Sequence, residues 1–121
     1  MRLLKKIQTN LPHGLRGIKI AWQKEPQFPW QVGFALCILA LAGLLQVGTD
    51  DLAILAISLG LALGAEIVNT ALEILCDKLH PAYDQEIGKV KDLGAALVII
   101  AGIPAIIATI VILGPRIIAS L

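Results

Sequence analysis

LAILAISLGLALGAEIVNTALEIL, residues 52–75, is the stretch whose reading decides the fold. From Leu52 to Ala65 it carries no ionisable group, and then Glu66, Asn69 and Glu73 appear within it. So long an apolar run is the mark of a helix dissolved in a bilayer. Acids inside such a helix cost about 2.5–3.5 kcal/mol each at mid-span, so they imply a use. With Asp77 the polar positions are separated by three, four and four residues, which puts all four side chains on one helix face. Counted from Leu52, Glu66 lies about 21 Å along the axis and Glu73 about 31 Å. Against a hydrocarbon core roughly 30 Å thick, Glu66 is submerged, Glu73 sits near the boundary, and Asp77 reaches water.

The rest of the chain agrees with a membrane solvent. Of its 121 residues 57% are hydrophobic and 16% charged, and the mean hydropathy is +0.82. A soluble domain carries about 25% charged residues. Two further apolar blocks, 32–48 and 93–113, flank the first and give three expected spans. Gly48–Asp51 is the expected turn between the first two spans, Pro104 is expected to bend the third, and Gly114–Pro115 to close it. Cys37 and Cys76 read as small hydrophobes without metal-ligand spacing. No cleaved signal peptide is expected, because polar residues follow the basic N-terminus directly.

Residues 1–28 are basic and amphipathic, with Leu3, Leu4, Ile7, Leu11, Leu15, Ile18 and Trp22 recurring every three or four positions. That pattern predicts a helix lying in the membrane surface, broken or bent near Pro12. Nine of the ten Lys and Arg residues fall in this segment or in the 77–92 loop. The positive-inside rule therefore makes both cytoplasmic. A unit this thin has little interior for polar groups, so self-association is expected.

A depth-graded row of acids suits chemistry between a buried alcohol and a soluble nucleotide. Carboxylates at the boundary, Glu73 and Glu25, can hold Mg²⁺ with phosphate oxygens. Lys91 and Asp92 return the chain to the same level and can meet phosphate charge. Physics alone leaves a cation pathway and plain helix–helix glue open beside this. No Walker-type or protein-kinase Gly-rich loop is present.

The segment AEIVNTALEILCDKLHPAYDQEIGKVKDLGAALVI, residues 65–99, with GLRGIKIAWQKEPQF upstream, resembles the prokaryotic diacylglycerol kinase family, which includes undecaprenol kinases. The resemblance spans nearly the whole chain. It implies an all-α membrane protein of three transmembrane helices plus a surface helix, assembled as a homotrimer with shared active sites in the bacterial cytoplasmic membrane. It implies MgATP as phosphate donor, a membrane lipid as acceptor and no nucleic acid. Glu66 matches the general base and Asn69 the residue ordering it. Glu25 and Glu73 match the metal carboxylates. Lys6, Gly17, Asp77, Tyr83, Asp84, Lys91 and Asp92 match positions around the nucleotide, and Trp22, Phe28 and Gln31 lie toward the lipid. His13 stands where many members have Tyr. Pro29-Trp30-Gln31 stands where a basic residue and then Glu or His are usual, which bears on the choice of lipid.

The expected function is thus an ATP-dependent lipid kinase making phosphatidic acid from diacylglycerol, with undecaprenol as the alternative acceptor. A proton- or cation-coupled transporter would want its carboxylate near the midplane, reachable from both faces. The acid-free half from Leu52 to Ala65 opposes that. A purely structural subunit would leave Glu25 and the Lys91-Asp92 pair unexplained.

Overall fold

The computed structural model describes residues 1–82 and 84–121. Four helices follow one another: α1 (Arg2–Lys24), α2 (Phe28–Leu44), α3 (Thr49–Leu79) and α4 (Gln85–Ser120). Glu25 and Pro26 break the chain between α1 and α2, and the two axes turn by 113°. Pro29 falls in the first turn of α2, where its missing N–H costs nothing. α3 and α4 are each long and apolar enough to cross a membrane, and the bent α1–α2 pair is the candidate third span. Within that pair α2 is the apolar arm and α1 the amphipathic one.

Helix ends differ from the sequence expectations in ways that have local causes. α2 stops at Leu44, because Gln46 turns left-handed at φ 54°. Val47 N–H then reaches the Ala42 carbonyl at 3.2 Å and Gln46 N–H the Gly43 carbonyl at 3.1 Å. This pair of bonds is the Schellman stop, normally built on glycine. The turn is therefore 45–48, and Asp50 and Asp51 belong to the first turn of α3, where acids favour the helix dipole. α1 runs unbroken through Pro12, in an exposed stretch where water can serve the carbonyl that the proline leaves. α4 likewise runs through Pro104 and does not close at Gly114–Pro115. Just past Pro115, Arg116 folds back and donates to the Ile112 carbonyl at 2.9 Å.

α3 is about 46 Å long and α4 about 54 Å, so both extend beyond a hydrocarbon core of roughly 30 Å. Their main partner is each other, with α2 against α3 and α1 crossing near Ala21. Ala42, Leu55, Ile112 and Leu113 pack beside the 45–48 turn, and Ala35, Leu59 and Ala105 continue the core one layer on. Large apolar side chains such as Ile57, Leu61, Ile100 and Ile110 face outward, as lipid contact requires.

Candidate active site

Where the apolar core ends, the polar face of α3 begins. Glu66, Asn69 and Thr70 are buried at 5%, 8% and 6% exposure, while the Asp77 side chain is 68% exposed. Glu73 lies between these limits. The expected gradient along α3 is thus present as burial.

Glu66 is covered from α2. Gln31 Nε2 donates to Glu66 Oε2 at 3.3 Å, and Thr70 Oγ1 donates to the Glu66 carbonyl at 2.9 Å. Gln31 and Glu66 sit at one end of a groove of about 510 Å³ between α2, α3 and α4. Phe34, Ile38, Leu63, Val98 and Ile106 line its remainder. The groove brings an apolar chain and a carboxylate together, which is what a lipid bearing a reactive headgroup needs.

Next along α3, Asn69 Nδ2 donates to Glu73 Oε1 at 3.3 Å. Asn69 Oδ1 is buried and has no hydrogen-bond partner among the described residues. It lies against Gly94 of α4, itself buried. Glycine inside a helix costs about 1 kcal/mol relative to alanine. Here the empty Cβ position is filled by the Asn69 amide.

The exposed end has two grooves. One, of about 460 Å³, is lined by Lys24, Thr70, Glu73, Ile74, Asp77 and Lys78. The other, of about 420 Å³, gathers His80, Asp84, Lys91 and Asp92. Lys91 joins the two, since its Nζ donates to Asp77 Oδ1 at 2.6 Å. That hydrogen bond, followed by the attraction of Asp77 and Glu73, holds the lysine above its ordinary value of 10.5. Lys91 is therefore a permanent cation at physiological pH. Asp84 has a local task as well, because Oδ1 accepts Glu86 N–H at 2.8 Å and Ile87 N–H at 3.2 Å to cap α4. Its Oδ2 stands 3.8 Å from His80 Nε2.

Other expected residues lie apart. Glu25 ends α1, and its Oε1 accepts Gln27 N–H at 3.3 Å rather than joining the Glu73 groove. Lys6 is exposed on α1, about 22 Å along that helix from Ala21, its buried residue. Gly17 lines a separate apolar groove between α1 and α3. Phe28 is 3% exposed and stacks edge-on against Trp22 at 6.3 Å. Of the three residues expected toward lipid, Gln31 alone reaches the Glu66 groove. Tyr83 lies outside the described residues. Thr70, Lys24 and Gly94 were not singled out from sequence. Thr70 and Lys24 had a legible signal in their adjacency to Asn69 and Glu25, whereas Gly94 had none.

Among the described residues no three His, Cys, Asp or Glu side chains gather to hold a metal ion. Glu73 and Asp77 do offer hard oxygens one helical turn apart on the rim of one groove. That donor set fits Mg²⁺, which keeps waters and takes one or two carboxylates alongside substrate phosphates.

These features define an all-helical membrane protein with a carboxylate site at the boundary between an apolar groove and a charged rim. The prokaryotic diacylglycerol kinase family matches residues 12–113. The chain belongs to this family and is a lipid kinase. Over 98 residues it is 32% identical to the diacylglycerol kinase of Escherichia coli strain K12, covering 81% of this chain and 80% of that protein. The diacylglycerol kinase of Shigella flexneri matches with the same identity and coverage. A transporter or a non-enzymatic subunit is set aside by this membership.

Proposed function

We propose that the enzyme transfers the γ-phosphate of MgATP to the hydroxyl of diacylglycerol, giving phosphatidic acid. The observation that carries this reading is the placing of Glu66: 5% exposed, at the polar end of an apolar groove, and on one face with Glu73 and Asp77. The relatives named as diacylglycerol kinases support this acceptor over undecaprenol.

In this reading the acyl chains lie in the groove and the hydroxyl meets Glu66. The Glu66 carboxylate takes the hydroxyl proton as the oxygen bonds to the γ-phosphorus, and the bond to the bridging oxygen of the departing ADP breaks. Gln31, donating to Oε2, fixes the carboxylate so that its other oxygen faces the proton. Asn69 orders Glu73. Glu73, with Glu25 of a neighbouring copy, would hold the Mg²⁺, which would supply charge neutralisation of the phosphates. Lys91 meets phosphate charge, with Asp77, Asp84 and Asp92 around it and Tyr83, Lys6 and Gly17 completing the nucleotide site. Trp22 and Phe28 then belong to the lipid-facing side.

A single chain leaves Glu25 and Lys6 away from Glu73, which supports a homotrimer whose sites are shared between neighbours. The distribution of basic residues supports a bacterial cytoplasmic membrane location with the N-terminus and residues 77–92 inside. The loop expected over 77–92 is mostly helix, since α3 extends through Leu79 and α4 starts at Gln85. The test is transfer of labelled γ-phosphate from ATP to diacylglycerol or undecaprenol in mixed micelles, with and without Mg²⁺. Mg²⁺-dependent labelling of diacylglycerol is expected. Labelling of undecaprenol in its place would move the enzyme to the other branch.

A further inference from the structure

Gly94 differs from the other glycines whose surroundings are described. A Cβ there would collide with Asn69 Oδ1 and stand 3.3 Å from Leu72 Cδ1. At Gly17, Gly60, Gly64 and Gly102 the same position meets nothing within 4 Å. The Leu72 methyl is the free end of a flexible side chain and can withdraw. The Asn69 amide is confined, being 8% exposed and bonded to Glu73 on its other side, so it yields only by giving up that bond.

The two ends of that amide are chemically distinct, and their placing follows from their neighbours. A carboxylate only accepts hydrogen bonds, so the Asn69 NH₂ must turn to Glu73. Its carbonyl is then forced toward α4, where no donor meets it among the described residues. A buried polar atom in that state is a liability, retained here beside a glycine that leaves just enough room.

We propose that Gly94 is a positioning residue: by seating the Asn69 carbonyl it aims the Asn69 NH₂ at Glu73 and so orients the carboxylate for the metal-bound nucleotide. This rests on Glu73 being a metal ligand. Gly94→Ala fills the seat, turns the amide away and releases Glu73, acting through Asn69 and not by touching substrate. On the same face of α4, three residues before Gly94, Lys91 grips Asp77, so α4 orders two residues of the α3 polar face at once.

The experiment compares wild type with Gly94→Ala, Asn69→Ala and the double variant, each purified in detergent. Mn²⁺ binding in the presence of ATP is read from the free-ion EPR signal, and thermal midpoints are recorded alongside. Gly94→Ala should weaken Mn²⁺ binding by about tenfold or more, the scale of losing a ligand's supporting contact. In the Asn69→Ala background the same change should alter binding by no more than about twofold, because the clash is gone. An equal loss in both backgrounds, or no loss in either, overturns the proposal.

Glu73→Gln serves as the separate control on the underlying reading. If it leaves Mn²⁺ binding intact, Glu73 is not a ligand, and the part of the proposal that concerns the metal falls with it. The seat is then judged by the midpoints: a drop for Gly94→Ala with native Asn69 and none with Ala at 69 sustains it. Should Gly94→Ala fail to accumulate folded, the double variant must fold, since it removes the collision; its failure too would refute the seat.

Discussion

The two ends of the α2–α3–α4 bundle are made of opposite materials on one continuous helix. Beside the 45–48 turn, Ala42, Leu55, Ile112 and Leu113 close upon one another. At that end Arg116 reaches Asp51 at 3.2 Å while also donating to the Ile112 carbonyl. At the other end a carboxylate is buried, an amide oxygen has no donor among the described residues, and grooves open on both sides of α3. The closed end completes its own bonding within the fold. The open end retains unmet bonding capacity, and buried polar groups left in that condition mark a functional site.

The largest effect should come from Glu66→Gln at the open end. The amide keeps the shape and cannot take a proton, so lipid phosphorylation should fall by about 10²–10⁴-fold. The thermal midpoint in detergent should hold, because the amide keeps the shape and an oxygen to accept from Gln31. Near-normal transfer in this variant would end the assignment of Glu66 as the base.

The matching change at the closed end is Leu55→Ala, at a side chain with 0% exposure. It should reverse the pattern, lowering stability while leaving activity per folded molecule unchanged. Leucine-to-alanine changes in aqueous cores cost 2–5 kcal/mol. Lipid tails are as apolar as leucine, so the transfer share of that cost disappears and about 1–3 kcal/mol remains for lost packing. A large fall in kcat with an unchanged midpoint would show that the two ends are not separable.

How much of this was legible in the sequence depended on whether a feature is local to one helix. The spacing of Glu66, Asn69 and Glu73 is a property of α3 alone, so the shared face and its burial gradient could be read directly. The apolar blocks likewise gave the order of the helices. Their ends could not be read, because the stop after Leu44 uses a left-handed Gln46 where glycine is the usual signal. Proline did not mark helix ends either, since α1 and α4 continue through Pro12, Pro104 and Pro115. Contacts between helices were hidden altogether. Gln31 against Glu66 and Gly94 against Asn69 depend on the register of separate helices, which no single segment encodes. Lys6 and Gly17 rested on resemblance, and in one chain α1 keeps both away from Glu73.

A smaller effect is expected from Arg116→Met at the closed end. The Arg116–Asp51 pair is partly exposed, at 38% and 37%, so screening limits its worth to about 1 kcal/mol or less. A cycle with Asp51→Asn, followed by thermal midpoints, should give a coupling of that size that shrinks with added salt. Coupling that persists undiminished in high salt would place the pair in a drier setting than its exposure indicates.

The smallest stability effect belongs to Lys91–Asp77, the open end's counterpart of that ion pair. Its side chains are 42% and 68% exposed, so the pair adds little to the fold. Its pH dependence is nevertheless specific. Lys91 is raised above 10.5 in the folded protein, so its contribution is fully present below the unfolded value. It is lost only as pH climbs through the higher folded value. The difference in midpoint between wild type and Lys91→Met should therefore be flat from neutral pH to about pH 9 and close only above about 10.5. Activity should behave otherwise, with the variant requiring more ATP throughout the flat range, because a cation facing phosphate has been removed. A midpoint difference that instead disappeared near neutral pH would mean that Lys91 is not the permanent cation this end of the bundle requires.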